Sequence, residues 1–305
     1  MLLTLTATCL RSMLLPGEGA KKPKLALEDL PAYAFDVLGL SGLNLSTDLL
    51  VGADRPKLEG IRERADKAAC AVLLLIESSA QPFGSTIEAD GKGATERLKK
   101  VVEAARFLGC NAVAVKVIAE DSEASMLRTV ARLRPAVDRA EKLDLNVLIT
   151  PHTGLTSTPD RVTELIKRVG GFRIGTFPDF EVAAKNADPV GYLRRLCPYA
   201  SAVSASTIKF KPSKNAKGTE LDPPMDHEPY DLNTLVGAVA SVGYDGALAI
   251  DYRGTGDVPA GIRATRNALN KSLADDEDPE DLDDDLADLM DDVEDEAADP
   301  AGDEE

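Results

Sequence analysis

Short apolar runs alternate with longer stretches of helical periodicity along most of the chain, and this alternation constrains the fold more than any other sequence feature. Eight runs rich in β-branched residues or leucine are predicted strands, at residues 3–8, 42–46, 71–77, 111–118, 145–150, 172–178, 200–206 and 246–252. Eight stretches with apolar residues at helical spacing are predicted helices, near residues 27–38, 56–68, 94–108, 122–142, 159–169, 189–196, 231–242 and 258–271. The alternation predicts βα units and a parallel sheet.

The number of units favours a closed sheet. Eight strands, each followed by one helix, match an α/β protein with a single (β/α)8 barrel, whose typical length is about 250 residues. An open doubly wound sheet is the second alternative. Gly39, Gly109 and Gly243 directly follow helical stretches, where a residue with positive φ ends a helix without steric cost.

Charge divides the chain into two parts. The sequence has 52 Asp and Glu against 35 Lys and Arg, a net charge of −17, but 19 of the acidic residues and none of the basic ones lie in 274–305. We therefore predict a barrel domain over 1–273 and a disordered acidic tail over 274–305. The barrel is almost neutral, which gives no argument for a nucleic-acid partner. Apolar residues spaced three and four apart could let the tail bind a basic partner or the protein's own strand-7 loop.

Membrane insertion and disulfide bonds are not expected. The longest apolar stretch, Ala68 to Ile76, is far shorter than the roughly 20 residues that span a bilayer. The apolar N-terminus lacks the basic segment of a signal peptide and alternates as a strand does. Four scattered cysteines without C-x-x-C spacing are predicted to be buried reduced thiols, at positions Cys9, Cys70, Cys110 and Cys197. These features together predict a cytoplasmic protein.

Barrel enzymes carry their reactive groups where the strands end. Side chains at or just after the predicted strand ends are Cys9, Asn44, Glu77, Lys116, Thr150, His152, Asp179, Ser204, Lys209, Asp251 and Arg253. The connection over 208–230 is unusually long and contains Lys211 and His227. Long loops in compact domains are often functional.

Two segments carry a resemblance to a known family. Leu-Gly-Cys-Asn-Ala-Val precedes and enters the fourth strand, and Gly-Tyr-Asp-Gly-Ala-Leu-Ala-Ile-Asp-Tyr leads into the eighth. With the order of the other strands, residues 1–272 resemble the xylose isomerase-like TIM-barrel family of sugar phosphate isomerases and epimerases. The resemblance implies a divalent metal held by Glu, Asp, His and Glu from strands five to eight, which polarises a substrate oxygen while a carboxylate moves a proton.

The metal positions of this sequence depart from that pattern. The four positions hold Thr150, Asp179, Ser204 and Asp251. Neutral hydroxyls are weak ligands for hard divalent cations. The resemblance therefore implies no tightly bound cofactor and at most a weak Mn²⁺ or Mg²⁺ at Asp179 and Asp251, with His152 as a partial substitute.

Each candidate catalytic residue has a structural alternative. Asp179 and Asp251 could position or deprotonate a polyol, with His152 and Glu77 as acids or bases. Alternatively, Asp179 caps a helix, Asp251 forms a structural ion pair with Arg253 or Lys209, and Glu77 caps the next turn. His152 could simply be solvated.

Substrate binding is predicted at the remaining polar positions. We expect Asn44, Lys209, Lys211, His227 and Arg253 to contact a small sugar or sugar phosphate, because the loops after strands seven and eight bind phosphate in many barrels. The alternative for the lysines is a solvated surface. Two functions stay open: a sugar phosphate isomerase or epimerase, and a catalytically inactive barrel that binds a sugar or a protein. Thr150 and Ser204 favour the second.

Overall fold

The computed structural model describes residues 1–213 and 225–275. Eight of its strands run parallel in one sheet. These are β1 (Leu2–Thr6), β2 (Gly42–Ser46), β3 (Ala71–Ile76), β4 (Ala112–Lys116), β5 (Asn146–Thr150), β6 (Ile174–Thr176), β7 (Ala202–Thr207) and β10 (Ala247–Tyr252). All eight predicted strands are present, each with bounds within two residues of the prediction.

The strand order is that of a barrel. From one edge the sheet runs β6, β5, β4, β3, β2, β1, β10, β7, so that the last strand lies beside the first. Parallel bridges join Thr176 to Ala200 and Asp179 to Ser204, which brings the edge strands β6 and β7 together. The (β/α)8 prediction is confirmed, and the open doubly wound alternative is wrong, because such a sheet does not return to its first strand.

Helices follow the strands on the outside of the barrel. They are α1 (Arg11–Leu14), α2 (Leu30–Asp36), α3 (Arg55–Lys67), α4 (Glu88–Leu108), α5 (Glu123–Glu141), α6 (Pro159–Val169), α7 (Phe180–Ala184), α8 (Pro189–Leu196), α9 (Leu232–Ala240) and α10 (Val258–Asp275). Side chains of Asp54, Ser122, Thr158 and Asp188 accept hydrogen bonds from the first turns of α3, α5, α6 and α8. Such N-caps fix where these helices begin.

Alternate residues of each strand face different cores. Val113, Val115 and Val147 pack against the surrounding helices in the larger apolar cluster. The barrel interior holds a smaller cluster of seven side chains: Leu74, Ala112, Ala114, Leu148, Phe177, Ala202 and Ala249. Because side chains alternate along a strand, the residues that continue the interior rows emerge at the carboxyl ends. These include Lys116, Thr150, Ser204 and Asp251.

Two short helices and one hairpin of the structure are absent from the sequence prediction. The helices α1 and α7 follow β1 and β6, and the connection over 208–230 contains an antiparallel hairpin of β8 (Phe210–Pro212) and β9 (Met225–His227). Helix α10 reaches Asp275, beyond the predicted boundary at 273. The rest of the predicted acidic tail lies outside the described residues. None of the described helices is long and apolar enough to cross a bilayer.

Candidate functional site

A cavity of about 870 Å³ opens at the carboxyl ends of the barrel strands. Its wall is unusually rich in hydroxyl groups. Eight serine and threonine residues line it: Thr6, Thr8, Ser46, Ser78, Thr150, Thr153, Ser157 and Ser204. The charged or titratable lining residues are Cys9, Arg11, Asp48, Glu77, Lys116, His152, Asp179, Asp251, Tyr252 and Arg253. A wall of this kind offers many donors and acceptors to a polyhydroxylated ligand.

Arg253, just after β10, connects three carboxylates at this cavity. Its Nη2 lies 2.5 Å from Asp179 Oδ2 and 2.7 Å from Asp251 Oδ2, and its Nη1 lies 2.6 Å from Glu181 Oε2. Nε donates a further hydrogen bond to Asp251 Oδ2 over 2.9 Å. The guanidinium therefore lies between Asp179 and Asp251, the two carboxylates that the resemblance assigns to a metal.

Within this cluster, neighbouring opposite charges and hydrogen bonds shift the pKa values of Arg253 and Glu181. Burial lowers the pKa of Arg253, but the charges of Asp179 and Asp251 raise it by more, so its net pKa lies above the usual value. Hydrogen bonds from Lys185 and then from Arg253 hold the pKa of Glu181 below its usual value. The planar guanidinium presents donors in a fixed fork that matches carboxylate oxygens, and it remains charged at any accessible pH.

Asp179 is fixed by more than the ion pair. Its Oδ1 accepts hydrogen bonds from the Val182 amide at 3.0 Å and from Ser206 Oγ at 3.1 Å, so the residue is the N-cap of α7. Its side chain is only 7% exposed. The N-cap alternative raised from the sequence is therefore present together with the position at the cavity.

Asp251 also contacts Cys9, which follows β1. Cys9 Sγ lies 3.5 Å from Asp251 Oδ1. Burial, and next the charge of Asp251, raise the pKa of the Cys9 thiol well above its usual value. All four cysteines are buried and unpaired by disulfides. A thiol held protonated is a poor nucleophile, so Cys9 serves here as a neutral neighbour of Asp251.

Thr150, at the end of β5, and Ser204, within β7, both line the cavity. In the described ranges, 1–213 and 225–275, no three His, Cys, Asp or Glu side chains are arranged to hold a metal ion. Two neutral hydroxyls and two carboxylates already bound to a guanidinium do not fit a divalent metal centre.

Glu77 follows β3 and lines the cavity, and its carboxylate already accepts three hydrogen bonds from the protein. Its Oε2 accepts from Arg97 Nε at 2.7 Å, and its Oε1 accepts from Thr47 Oγ1 at 3.2 Å and the Ser79 amide at 3.1 Å. The side chain is 2% exposed. These bonds fix the position of the carboxylate, and its role as an acid or base stays a prediction.

His152 and Lys116 lie together on the opposite wall from Arg253. Lys116 is the register partner of Thr150 across β4 and β5, and His152 follows two residues later. Burial, and next the charge of Lys116, hold the pKa of His152 below its usual value. Within the part of the chain that the structure describes, neither the His152 ring nor the Lys116 ammonium has a hydrogen-bond or ion-pair partner.

Asn44 lies deeper in the barrel than the cavity wall. Its Nδ2 donates to Thr4 Oγ1 at 2.8 Å, and the residue is 1% exposed. Among the residues that the structure describes, its Oδ1 has no hydrogen-bond partner, and neither has Oγ1 of Thr6, a lining residue that is 4% exposed. Buried polar atoms without partners are rare in folded proteins, and a bound polar molecule is one way to satisfy them.

The predicted residues of the long connection lie away from the described cavity wall. The neutral ring of His227 accepts from the Ile208 amide at Nε2 and donates from Nδ1 to the Tyr230 carbonyl, both at 3.0 Å. Lys209 pairs with Glu228 at 2.6 Å. Neither lysine of this region, Lys209 or Lys211, is among the residues that line the cavity. Their contact with substrate stays a prediction.

Several residues at or near the cavity wall were missed by the sequence analysis as binding candidates. Glu181, which bonds to Arg253 but does not itself line the cavity, follows the candidate Asp179 by two positions, and Arg11 forms an ion pair with Asp48 on the wall beside β1 and β2. Lys116 ends an Ala-Val-Ala-Val-Lys run, and this alternation already places it on the same face as two small interior residues. That period of two was the available signal.

The sequence of the chain matches a known protein family. The family model for the xylose isomerase-like TIM barrel matches residues 36–272, which is most of the chain. The chain belongs to this family. No curated protein matches it in sequence.

Solved structures of similar fold include several sugar epimerases. An L-ribulose 3-epimerase superposes with a TM-score of 0.69 at 15% identity, covering 91% of this chain and 97% of the epimerase. A D-psicose 3-epimerase from Clostridium cellulolyticum H10, solved with D-tagatose, gives 0.65 at 13% identity, with 90% and 97% covered. The IolI protein, solved with a zinc atom, gives 0.67 at 13% identity, with 90% and 99% covered. At these identities the likeness establishes the fold.

Proposed function

We propose that this family member binds a sugar or sugar phosphate in the barrel cavity without using Asp179 and Asp251 as metal ligands. The observation that carries the proposal is the guanidinium of Arg253, which bonds to both carboxylates and to Glu181. A divalent cation at the same place would have to displace a side chain that already neutralises these charges.

The composition of the wall supports a polyol as the ligand. Eight serine and threonine side chains line the cavity, and the buried Thr6 Oγ1 on its wall has no hydrogen-bond partner among the described residues. A sugar hydroxyl both donates and accepts, so it can satisfy a threonine or serine hydroxyl and a carboxylate at once. An L-ribulose 3-epimerase and a D-psicose 3-epimerase solved with D-tagatose have a similar fold, which is consistent with this ligand class.

The resulting function is that of a sugar-binding barrel in which Arg253 holds Asp179 and Asp251 as fixed acceptors. The two carboxylates would accept hydrogen bonds from ligand hydroxyls, and Arg253 would hold them in position. No step in this role needs a group that the chain does not itself supply.

One observation favours a second candidate, a metal-independent isomerase or epimerase. The ring of His152 lies at the cavity with no side-chain partner among the described residues. A neutral imidazole with a free nitrogen can take a proton from a substrate carbon or hydroxyl. In this candidate His152 is the base, and Asp179 and Asp251 only orient the substrate.

The test is ligand binding and turnover in chelator-treated protein. D-fructose and D-fructose 6-phosphate are titrated by calorimetry with EDTA and with Mn²⁺, and epimer formation is followed by chromatography. We expect equal affinity under both conditions. Turnover that resists EDTA supports the second candidate, whereas binding or turnover that requires Mn²⁺ contradicts the proposal.

A near-isosteric variant locates the ligand. Thr150→Val removes one hydroxyl from the wall, and loss of one hydrogen bond should weaken sugar affinity by about two- to tenfold. Thr86→Val, at an exposed position outside the cavity, is the control. Equal affinity in both variants would place the sugar elsewhere.

A further inference from the structure

Lys116 is placed at the cavity by the alternation of β4. Ala112 and Ala114, at positions two and four residues earlier, pack inside the barrel, and Lys116 continues their row where the strand ends. The side chain lines the cavity beside its register partner Thr150. A lysine on the interior row of a barrel strand has no packing role there, since its charged end is exposed.

The charge of Lys116 is not neutralised by the protein. Of the cationic side chains that line the cavity, Arg11 pairs with Asp48 and Arg253 pairs with three carboxylates. Lys116 has no carboxylate within 4.0 Å in the described parts of the chain. It therefore provides the unpaired positive charge of the described cavity wall.

The surroundings of Lys116 suit an anion. His152 lines the same wall, as do the hydroxyls of Thr153 and Ser157 from the loop after β5. Hydroxyl groups and an imidazole N–H donate to anionic oxygens, and no acidic residue of the cavity wall comes from β4, β5 or the loops that follow them. Placing an anion here also removes the unfavourable effect of Lys116 on a protonated His152.

The wall that carries Arg253 disfavours an anion. Asp179 and Asp251 share one guanidinium, so this group keeps a net negative charge, whereas Glu181 is also paired with Lys185. That wall favours neutral hydroxyl donors. Glu77, after β3 and so beside β4, is paired with Arg97, which leaves Lys116 as the unpaired charge on its side of the described wall.

We propose that the ligand is an anionic polyol, a sugar phosphate or a sugar acid, whose charged group binds Lys116 and His152 while its hydroxyls face Asp179 and Asp251. The proposal rests on the proposed sugar-binding function. It moves the anion site from Lys209 and Lys211, where the sequence placed it, to the other side of the barrel.

Calorimetry with matched ligands tests this assignment. Sorbitol, D-gluconate, D-glucitol 6-phosphate and inorganic phosphate are titrated into the full-length wild type, Lys116→Gln, Lys211→Gln and Lys142→Gln, the last a surface control at the end of α5. We expect wild type and the control to prefer one or both anionic polyols over sorbitol by at least about tenfold, a modest value for a charged hydrogen bond. Lys116→Gln should lose this preference and keep its affinity for sorbitol. Gluconate and the phosphate ester distinguish a carboxylate from a phosphate as the bound group.

The outcomes separate this inference from the proposed function. If the preference for anions survives Lys116→Gln, or disappears in Lys211→Gln instead, the site at β4 and β5 is wrong while sugar binding stands. If wild type binds sorbitol as tightly as both anionic polyols, the inference also fails alone. If inorganic phosphate binds through Lys116 but no polyol binds, the proposed function fails and the anion site stands.

Discussion

At the scale of single residues, Asp179 combines two tasks that the sequence presented as alternatives. One oxygen caps α7 and accepts from Ser206, and the other faces Arg253. The cap fixes the carboxylate in direction, and the guanidinium neutralises it. A carboxylate that is 7% exposed needs both, because a buried charge without partners is costly.

Two substitutions separate these tasks. Asp179→Asn keeps the cap geometry but removes the charge, and we expect a loss of about 1–3 kcal/mol in the free energy of unfolding, below the value for a fully buried pair because Arg253 is partly exposed. Asp179→Ala also removes the cap and should cost about 1 kcal/mol more. Urea denaturation measures both. Equal stability of wild type and Asp179→Asn would show that the ion pair contributes nothing.

The stability at mildly acidic pH depends on His227. Burial lowers its pKa, and the neutral ring accepts the Ile208 amide at Nε2. As pH falls through the unfolded value of about 6.5, the unfolded chain binds the proton first, so stability falls. We expect His227→Gln, compared between pH 7.5 and 5.5, to lose less stability than wild type.

The chain has two histidines, so the control is direct. His152 also has a pKa lowered by burial but makes no ring hydrogen bond in the described structure. The loss of stability between pH 7.5 and 5.5 should therefore be larger in His152→Gln than in His227→Gln. An unchanged profile in His227→Gln would contradict the assignment.

The sequence predicts the individual site residues better than the contacts between them. Asp179, Asp251 and Arg253 are all candidates because each lies at or after a strand end, and the need of a buried carboxylate for a partner offers Arg253 or Lys209 to Asp251, of which the structure has Arg253. The bond between Arg253 and Asp179 spans 74 positions. Nothing in a single sequence specifies that contact, which depends on how β6 and β10 curve toward each other.

At the scale of elements, the loop after β5 carries His152 and depends on one glycine. Gly154 has a φ of +87°, and a Cβ there would lie 2.2 Å from the Ala119 carbonyl oxygen. That same oxygen accepts a hydrogen bond from the Leu155 amide at 2.9 Å. This contact and the hydrogen bond hold the loop after β5 against the loop after β4, and so place His152 beside Lys116.

A pair of alanine variants tests this contact. Gly256 also has positive φ, +96°, but nothing within 4 Å of its Cβ position, so Gly256→Ala measures the backbone strain alone, about 1–2 kcal/mol. Gly154→Ala adds a backbone clash and should lose clearly more in the free energy of unfolding. It should also weaken anion binding. Equal losses in thermal or urea unfolding would mean that the loop moves without cost.

The regular elements were predictable, and the irregular ones were not. The strands are short apolar runs and the long helices have strong periodicity or caps, so their existence follows from local sequence. The hairpin of β8 and β9 has three residues a strand and is held by rings of Phe210, His227 and Tyr230 packed edge to face. Residues so far apart in sequence give no local pattern.

At the scale of the whole molecule, the net charge of −17 comes almost entirely from the acidic C-terminal residues. The last buried side chains in the described part of the chain, Leu269 and Ser272, precede that segment. Removing residues 276–305 should leave the unfolding midpoint unchanged, because every buried side chain of the described barrel is kept. A lower midpoint would contradict this.

The same truncation should raise the affinity for an anionic polyol at low ionic strength, since it removes repulsion of the ligand. At 0.5 M salt the difference should disappear, as charges are then screened beyond a few ångströms. Calorimetry at the two salt concentrations measures it. A tail with its acidic residues changed to amides is the control and should behave as the truncation does; equal affinities of all three proteins at low salt would mean that the tail does not influence the site.

The measurement that tests the account most directly is a calorimetric titration of Mn²⁺ into chelator-treated wild type and Arg253→Gln. The account predicts no binding to wild type below millimolar concentrations and a new one-to-one site in the variant, because Asp179 and Asp251 then lose their shared guanidinium partner. Arg253→Lys, which keeps the charge, and Arg11→Gln, which frees only Asp48, should gain nothing. Micromolar Mn²⁺ binding to wild type, or a folded Arg253→Gln that binds no better than wild type, would contradict the claim that Arg253 takes the place of a metal.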